Sequence, residues 1–238
     1  MAGREGADPR MNGLVSVPRE NGETASGWVY RTLLHNLVGL VLSPGMPVSE
    51  KTIGDSLGLS RTPVREAFIR LNRYHFIDIL PQKGSYVSKI DPVFIEEARF
   101  LRLCVEKEVI ARACVSFCPE TMISLRANLQ KQDLAVLNGD PQKFMDLDDE
   151  FHFLILRGVG RETIWRLIRA TSVHFDRIRL LNLTRRADWD EIVSRHRGIA
   201  DAIERHDGSS AVSDIEHHLS NVLDDIEQLK GLFPDYFA

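Results

Sequence analysis

Only three cysteines, Cys104, Cys114 and Cys118, occur in the 238 residues. They are too few for a disulfide framework and are expected to stay reduced in the cytoplasm. No apolar run approaches the roughly 20 residues that cross a bilayer. The glycine-rich, polar start also lacks the apolar core of a signal peptide, so no membrane partner is expected. Internal repeats are absent, and beyond Asp91-Pro92 no strand pattern competes with the helical one. What is present is ordinary: 43% apolar and 27% charged residues exclude disorder throughout. The length allows one large domain or two small ones.

A net charge of −4 argues against a nucleic-acid partner only if the charge is evenly spread. It is not. Residues 26–90 carry eight Lys and Arg against Glu50, Asp55, Glu66 and Asp78, a surplus of four positive charges. Residues 1–25 carry one net negative charge, which leaves the last part of the chain with seven more negative than positive groups. A basic N-terminal third therefore precedes an acidic remainder.

Residues 1–25 show no periodicity and are expected to form a flexible tail. From Trp28 a helix is expected with Val29, Leu33, Leu37, Leu40 and Val41 inward, stopped by Ser43-Pro44-Gly45. A second helix, Glu50 to Leu57, buries Ile53 and Leu57 and ends at Gly58. A third begins near Thr62-Pro63, with Pro at its first helical position, and turns Val64, Ala67, Phe68 and Leu71 inward. Two short runs, 76–80 and 85–88, flank Pro81-Gln-Lys-Gly84 and predict a hairpin with a basic tip. Residues 26–90 thus read as a winged helix-turn-helix with a two-stranded wing. Residues 91–238 read as an all-helical antiparallel bundle, with helices near 92–116, 119–138, 141–157, 161–184, 188–206 and 209–231. The fold class is mostly α.

The outward face of the third helix carries Arg61, Thr62 and Arg65, with Arg70 further along. Arginines at the start of a recognition helix suit guanine O6 and N7 in the major groove. Lys51 is placed near the backbone phosphates, and Lys83 with Gly84 at a tip that approaches a neighbouring groove. A solvated basic face is the bland account of each arginine alone; helix, turn and wing in order favour DNA.

In the bundle, Asp148 and His152 are four residues apart in the stripe of Phe144, Phe151 and Ile155. His196 falls in the stripe of Ile192, Val193, Ile199 and Ala200, and His218 in that of Ile215, Val222 and Leu229. Buried polar groups need partners. Three inward histidines and one aspartate can hold a divalent ion, Zn, Ni, Mn or Fe, or can be hydrogen-bonded core residues. A metal-dependent hydrolase and a bundle that only dimerises stay open on spacing alone.

Residues 45–88, with SRTPVREA at 60–67 and QKGSYV at 82–87, resemble the winged helix of the GntR transcription regulators. The resemblance implies DNA contacts from Lys51, Arg61, Thr62, Arg65, Lys83 and Gly84. This chain departs from the pattern at Ile53-Gly54, and at His75, where the family has a turn glycine. Residues 91–232 resemble the FCD effector domain of the FadR-type branch through Arg102-x-x-x-Glu106, Asp148-Asp-Glu-Phe-His152, the His196 segment and His218-Leu219. That likeness implies Asp148, His152, His196 and His218 as metal ligands, with Zn first. It also implies a small carboxylate effector, with Arg102 as its clamp or alternatively in a salt bridge with Glu106. The expectation is a ligand-responsive repressor, not an enzyme, acting as a homodimer on a double-stranded, pseudo-palindromic DNA operator. The turn Gly158-Val-Gly160-Arg161 stands where the family has an Asn.

Overall fold

A computed structural model describes residues 13–185, 189–224 and 226–238, apart from the side chains of residues 221–224. Residues 1–12 of the expected tail, Asp188 at the expected start of a helix and the Val222 side chain lie outside the described residues. The chain forms two compact units, one of residues up to Asp91 together with Phe233–Ala238, the other of Pro92–Leu232.

In the first unit, helix α1 (Ala25–Val38) is capped by Thr24, whose side chain accepts from the Gly27 N–H. It ends at Gly39, earlier than the expected stop at Ser43. Leu40 adopts a positive φ of 57°, and Leu42 N–H bonds back to Asn36 O. The chain turn therefore buries Leu42 and leaves Val41 38% exposed, so the apolar stripe ends at Leu37. Helices α2 (Glu50–Leu57) and α3 (Arg61–Arg73) follow, with Ile53, Val64, Ala67, Phe68 and Leu71 in the core. Between them Gly58 takes φ 66°, a left-handed value that suits glycine. His75 takes φ 58° at the turn after α3.

The wing has three strands, not two. β2 (Ile77–Leu80) and β3 (Gly84–Val87) form the expected hairpin, and β1 (Pro47–Val48) adds to the free edge of β3, giving the order β1-β3-β2. Two residues carry no period, so β1 was illegible in sequence.

The ends of this unit also differ from the expected boundaries. Val15 exchanges hydrogen bonds with the Asn36 side chain, Trp28 Nε1–H donates to Val17 O, and Arg31 Nη2–H donates to Pro18 O. Residues 15–18 are thus tied to α1, and the expected tail is not free along its whole length. At the other end Ile90 N–H donates to Tyr236 O (2.7 Å) and Ala238 N–H to Ile90 O (3.1 Å). Phe237 is buried, which draws residues 233–238 into the first unit and out of the bundle where they were expected.

The second unit is helical: α4 (Pro92–Val115), α5 (Pro119–Asn138), α6 (Pro141–Gly158), α7 (Glu162–Thr171), α8 (Val173–Thr184), α9 (Trp189–Glu204), α10 (Gly208–Asp224) and α11 (Ile226–Leu232). The expected helix over 161–184 is broken at Ser172. There Thr171 Oγ1–H and Ser172 Oγ–H both donate to Ile168 O, and hydroxyls bonded to the preceding turn bend or end a helix. α8 has almost no apolar face: His174, Asp176, Arg177 and Arg179 are all buried beside its leucines. α4 packs on α10, and α5 on α6 and α9. The shared core includes Ile110, Leu125, Phe151, Ile155, Ile199, Ile203 and Ile215.

Candidate functional site

α6 carries Asp148 and His152 one turn apart on the face that buries Phe144, Phe151 and Ile155. His196 comes from α9 and His218 from α10. Their side chains converge so that one ligand atom from each lies within 4.8 Å of the others. His152 Nε2 is 3.1 Å and His196 Nε2 3.4 Å from His218 Nε2. Asp148 Oδ1 is 3.5 Å from His196 Nε2 and 3.9 Å from His218 Nε2, while Oδ2 is 3.7 Å from His152 Nε2.

The surroundings decide which ring nitrogens face this point. His152 Nδ1–H donates to Glu106 Oε2 at 2.5 Å, and His196 Nδ1–H donates to Gln132 Oε1 at 2.9 Å. A neutral imidazole that donates from Nδ1 carries its lone pair on Nε2, so both rings turn lone pairs inward. The Gln132 amide is itself fixed, since its Nε2–H donates to Asn128 Oδ1 at 2.7 Å. Asn128 Nδ2–H in turn donates to Leu147 O and Glu150 Oε2 at 3.0 and 2.9 Å. Outer partners that orient a ligand in this way are characteristic of metal centres.

Electrostatics point the same way. Burial holds the His196 imidazole at about 3, despite the opposing pull of Asp148. Burial, then His196 and His152, holds His218 well below its usual value. Both rings are therefore neutral at pH 7, the form that binds a cation. Burial alone would raise the Asp148 carboxyl, but Arg179 and the three histidines outweigh it and keep it well below the carboxylate range. Glu106 is likewise held at about 2, because Arg102 and His152 outweigh its burial. Three imidazoles and one carboxylate, with Nε2 of His152 and His196 turned inward, fit a divalent ion of the Zn, Ni, Mn or Fe type.

Beside the cluster, Arg102 Nε–H donates to Glu106 Oε1 at 2.8 Å. The guanidinium sits 5.6 Å from the Trp165 ring and 5.5 Å from that of Phe175. Arg102 is 1% exposed, yet its Nη2 has no hydrogen-bond partner among the described residues. Arg102 thus forms the salt bridge weighed for it through Nε, and it keeps a buried Nη2 with no hydrogen-bond partner among the described residues. A buried donor left unpaired costs about 1–3 kcal/mol, a cost that a bound carboxylate would relieve.

On the winged helix, Lys51, Arg61, Thr62, Arg65, Lys83 and Gly84 are all exposed. Arg61 reaches Glu50 Oε2 at 3.4 Å but stays 75% exposed. Arg70 is placed differently: its guanidinium stacks 3.7 Å over the Tyr30 ring, which occupies it within the unit. His75 is exposed on the turn, its positive φ replacing the glycine of the family pattern. His174, ambiguous in sequence, is buried against the Phe94 ring at 5.2 Å. Gly158, the last residue of α6, leaves no room for a side chain, because a Cβ there would lie 2.0 Å from Phe117 Cε2.

The structure brings together the four residues singled out as ligands, with Arg102 alongside. Sequence reasoning missed Gln132, Asn128 and Arg179. The first two share a buried stripe of α5 with Leu125 and Leu129, so amides interrupting an apolar stripe were the available signal. Arg179 ion-pairs with Asp148, Asp149 and Asp176, and nothing in its local sequence distinguishes it.

Comparison with known proteins bears on the whole chain. The model for bacterial regulatory proteins of the gntR family matches residues 26–87, and the FCD domain model matches residues 97–221. An uncharacterised HTH-type transcriptional regulator in an unstable DNA locus of Streptomyces ambofaciens is 35% identical over 222 residues, 93% of either chain. The HTH-type transcriptional repressor RspR of Escherichia coli is 30% identical over 210 residues, 88% of this chain and 92% of its own. Among solved structures, E. coli McbR/YncC superposes with a TM-score of 0.74 at 21% identity, covering 87% of this chain and 99% of that one. A protein described as a transcriptional regulator GntR from Rhodococcus sp. RHA1 gives 0.68 at 21% identity, covering 84% and 97%. These two structural likenesses speak to fold alone.

Proposed function

The chain belongs to the GntR family of bacterial regulatory proteins and carries an FCD domain, and from that premise we propose that it is an effector-responsive repressor whose bundle senses a small carboxylate at a divalent metal centre. It is a DNA-binding transcriptional regulator and not an enzyme. The observation that carries the sensing role is the convergence of Asp148, His152, His196 and His218 beside the unpaired Nη2 of buried Arg102. An ion held there supplies a Lewis-acidic anchor for an anion, with Zn first among the candidates. Glu106 and Gln132 keep two imidazole lone pairs aimed inward, and Arg102 offers its free N–H to a carboxylate oxygen.

Arg61, Thr62 and Arg65 are assigned to base edges in the major groove, Lys51 to phosphates, and Lys83 with Gly84 to the wing contact. One recognition helix reads few base pairs, so a homodimer on a pseudo-palindromic operator is proposed. The exposed apolar residues of α4, Phe100 and Leu101 among them, support a surface covered by a second copy. That RspR is named a repressor favours repression, relieved when effector shifts the population toward a form with lower operator affinity. Operator binding on the chromosome places the protein in the cytoplasm. Two domains are proposed, a winged-helix domain up to Asp91 that takes in residues 233–238, and a bundle of residues 92–232.

Metal analysis of protein purified without chelator is expected to give about one divalent ion per chain. His196→Ala should lose it, and equal content in that variant overturns the centre. A thermal-shift screen of small carboxylates, with and without chelator, should give a shift that chelator abolishes. A shift indifferent to chelator refutes the metal-anchored effector.

A further inference from the structure

The metal ligands account for Nε2 of three histidines and for one oxygen of Asp148; the other oxygen is claimed by a residue the family motifs do not mark. Arg179, on α8, is 7% exposed. Its Nη2–H donates to Asp148 Oδ2, and its Nη1–H donates to Asp149 Oδ1 at 2.9 Å and Asp176 Oδ1 at 2.8 Å. The guanidinium is therefore fixed at both ends of its fork. Arg169 braces the same group from the far side, with Nη1 3.0 Å from Asp149 Oδ2 and 2.7 Å from Asp176 Oδ2. If Arg179 left Asp148, it would also give up its bonds to half-buried Asp149 and buried Asp176, which Arg169 alone would then have to hold. Asp148 Oδ1 has no such partner and faces His196 Nε2 and His218 Nε2 at 3.5 and 3.9 Å, whereas Oδ2, bonded to Arg179, lies 3.7 Å from His152 Nε2.

We propose that Arg179 is a positioning residue of the metal centre: it reserves Oδ2 of Asp148, so that Oδ1 alone is presented to the ion, and its charge restrains the affinity of the site for divalent cations. This rests on the metal centre argued above. Its consequence deepens that reading. With the one carboxylate of the cluster already paired to Arg179, the nearest groups leave the charge of a divalent ion largely unmet, and an anionic ligand completes it. Effector binding is then an electrostatic requirement of the loaded site, not an addition to it.

The direction of a substitution follows from magnitudes. Fixing one buried carboxylate is worth less than about tenfold in affinity. A unit positive charge a few ångströms from a divalent ion is worth about tenfold or more, even screened as in water. Charge wins, so removing Arg179 tightens the centre.

The test is Zn2+ affinity by competition with a chromogenic chelator. Arg179→Met is expected to bind Zn2+ at least about tenfold more tightly than the wild-type chain. Arg179→Lys, which keeps the charge, should stay within about threefold of it. Unchanged or weaker binding by a folded Arg179→Met protein overturns the inference. Should that variant not fold, the wild-type protein crystallised with Zn2+ decides. Arg179 on Oδ2 with Oδ1 toward the ion supports it; both Asp148 oxygens on the ion, or Arg179 swung away, refutes it. A wild-type chain that binds no Zn2+ refutes the metal centre itself, and this inference with it.

Discussion

Glu106→Gln separates two duties that one carboxylate performs. Glu106 Oε1 accepts from Arg102 Nε–H at 2.8 Å and Oε2 from His152 Nδ1–H at 2.5 Å. A glutamine has one oxygen and one NH2, so it can accept from only one of these donors and meets the other with a hydrogen. If the amide faces His152, the ring must move its proton to Nε2, which points a hydrogen into the ligand cluster. If it faces Arg102, two N–H donors meet, and in either orientation the buried guanidinium loses its counter-charge. The carboxyl is held at about 2 against an ordinary 4.5 because Arg102 and His152 outweigh its burial. At about 1.4 kcal/mol per pH unit this corresponds to about 3 kcal/mol of stability. Removing one partner of a buried pair costs a similar 3–5 kcal/mol or so. The unfolded chain binds the extra proton between pH 4.5 and 2, so this stability is present above that window and is lost as pH falls through it. Metal-free Glu106→Gln should therefore melt roughly 10 °C below the wild type at pH 7, and should show less acid sensitivity in that window. Its Zn2+ affinity should fall about 10–100-fold, as for other lost outer partners. Adding Arg102→Met removes the stranded cation, so it should restore much of the melting temperature and none of the Zn2+ affinity. Zn2+ binding within about threefold of wild type, or a melting loss below about 2 °C, would refute the assigned roles.

The two arginines of α3 should differ in a DNA-binding titration. Arg65→Ala should lose about 1–3 kcal/mol of preference for operator over unrelated DNA, whereas Arg70→Ala should keep it and lose only about 0.5–1 kcal/mol of stability with the Tyr30 stack; equal effects would show the recognition face misplaced. Gly158→Ala should destabilise by about 1–3 kcal/mol in a denaturant titration, since its Cβ would overlap the Phe117 ring. In a Phe117→Ala background the same change should be neutral or stabilising, because alanine is the better helix former; destabilisation there would sink the clash argument.

Much of the site was legible because its signals are local. Asp148 and His152 stand four apart in an apolar stripe, and a helix puts such residues on one face whatever it packs against. His196 and His218 interrupt their stripes in the same way. The break at Ser172 was not legible, because Thr171 and Ser172 are tolerated within a helix until their hydroxyls take a carbonyl. The inward place expected for Leu40 and Val41 falls to Leu42, at a chain reversal that periodicity does not see.

What the sequence by itself determined was most of the helices, the inward faces of those with a clear apolar stripe, and the basic character of the reading module, since apolar spacing and local charge depend on neighbours in the chain. Only the tertiary structure brought Gln132 to the imidazole it orients, 64 residues away in the chain. It alone placed Arg179 on the far oxygen of Asp148, 31 residues away, and returned residues 233–238 to Ile90. Hydrogen bonds act over about 3 Å, and across such sequence separations that distance is set by how helices pack, which no local pattern of residues encodes.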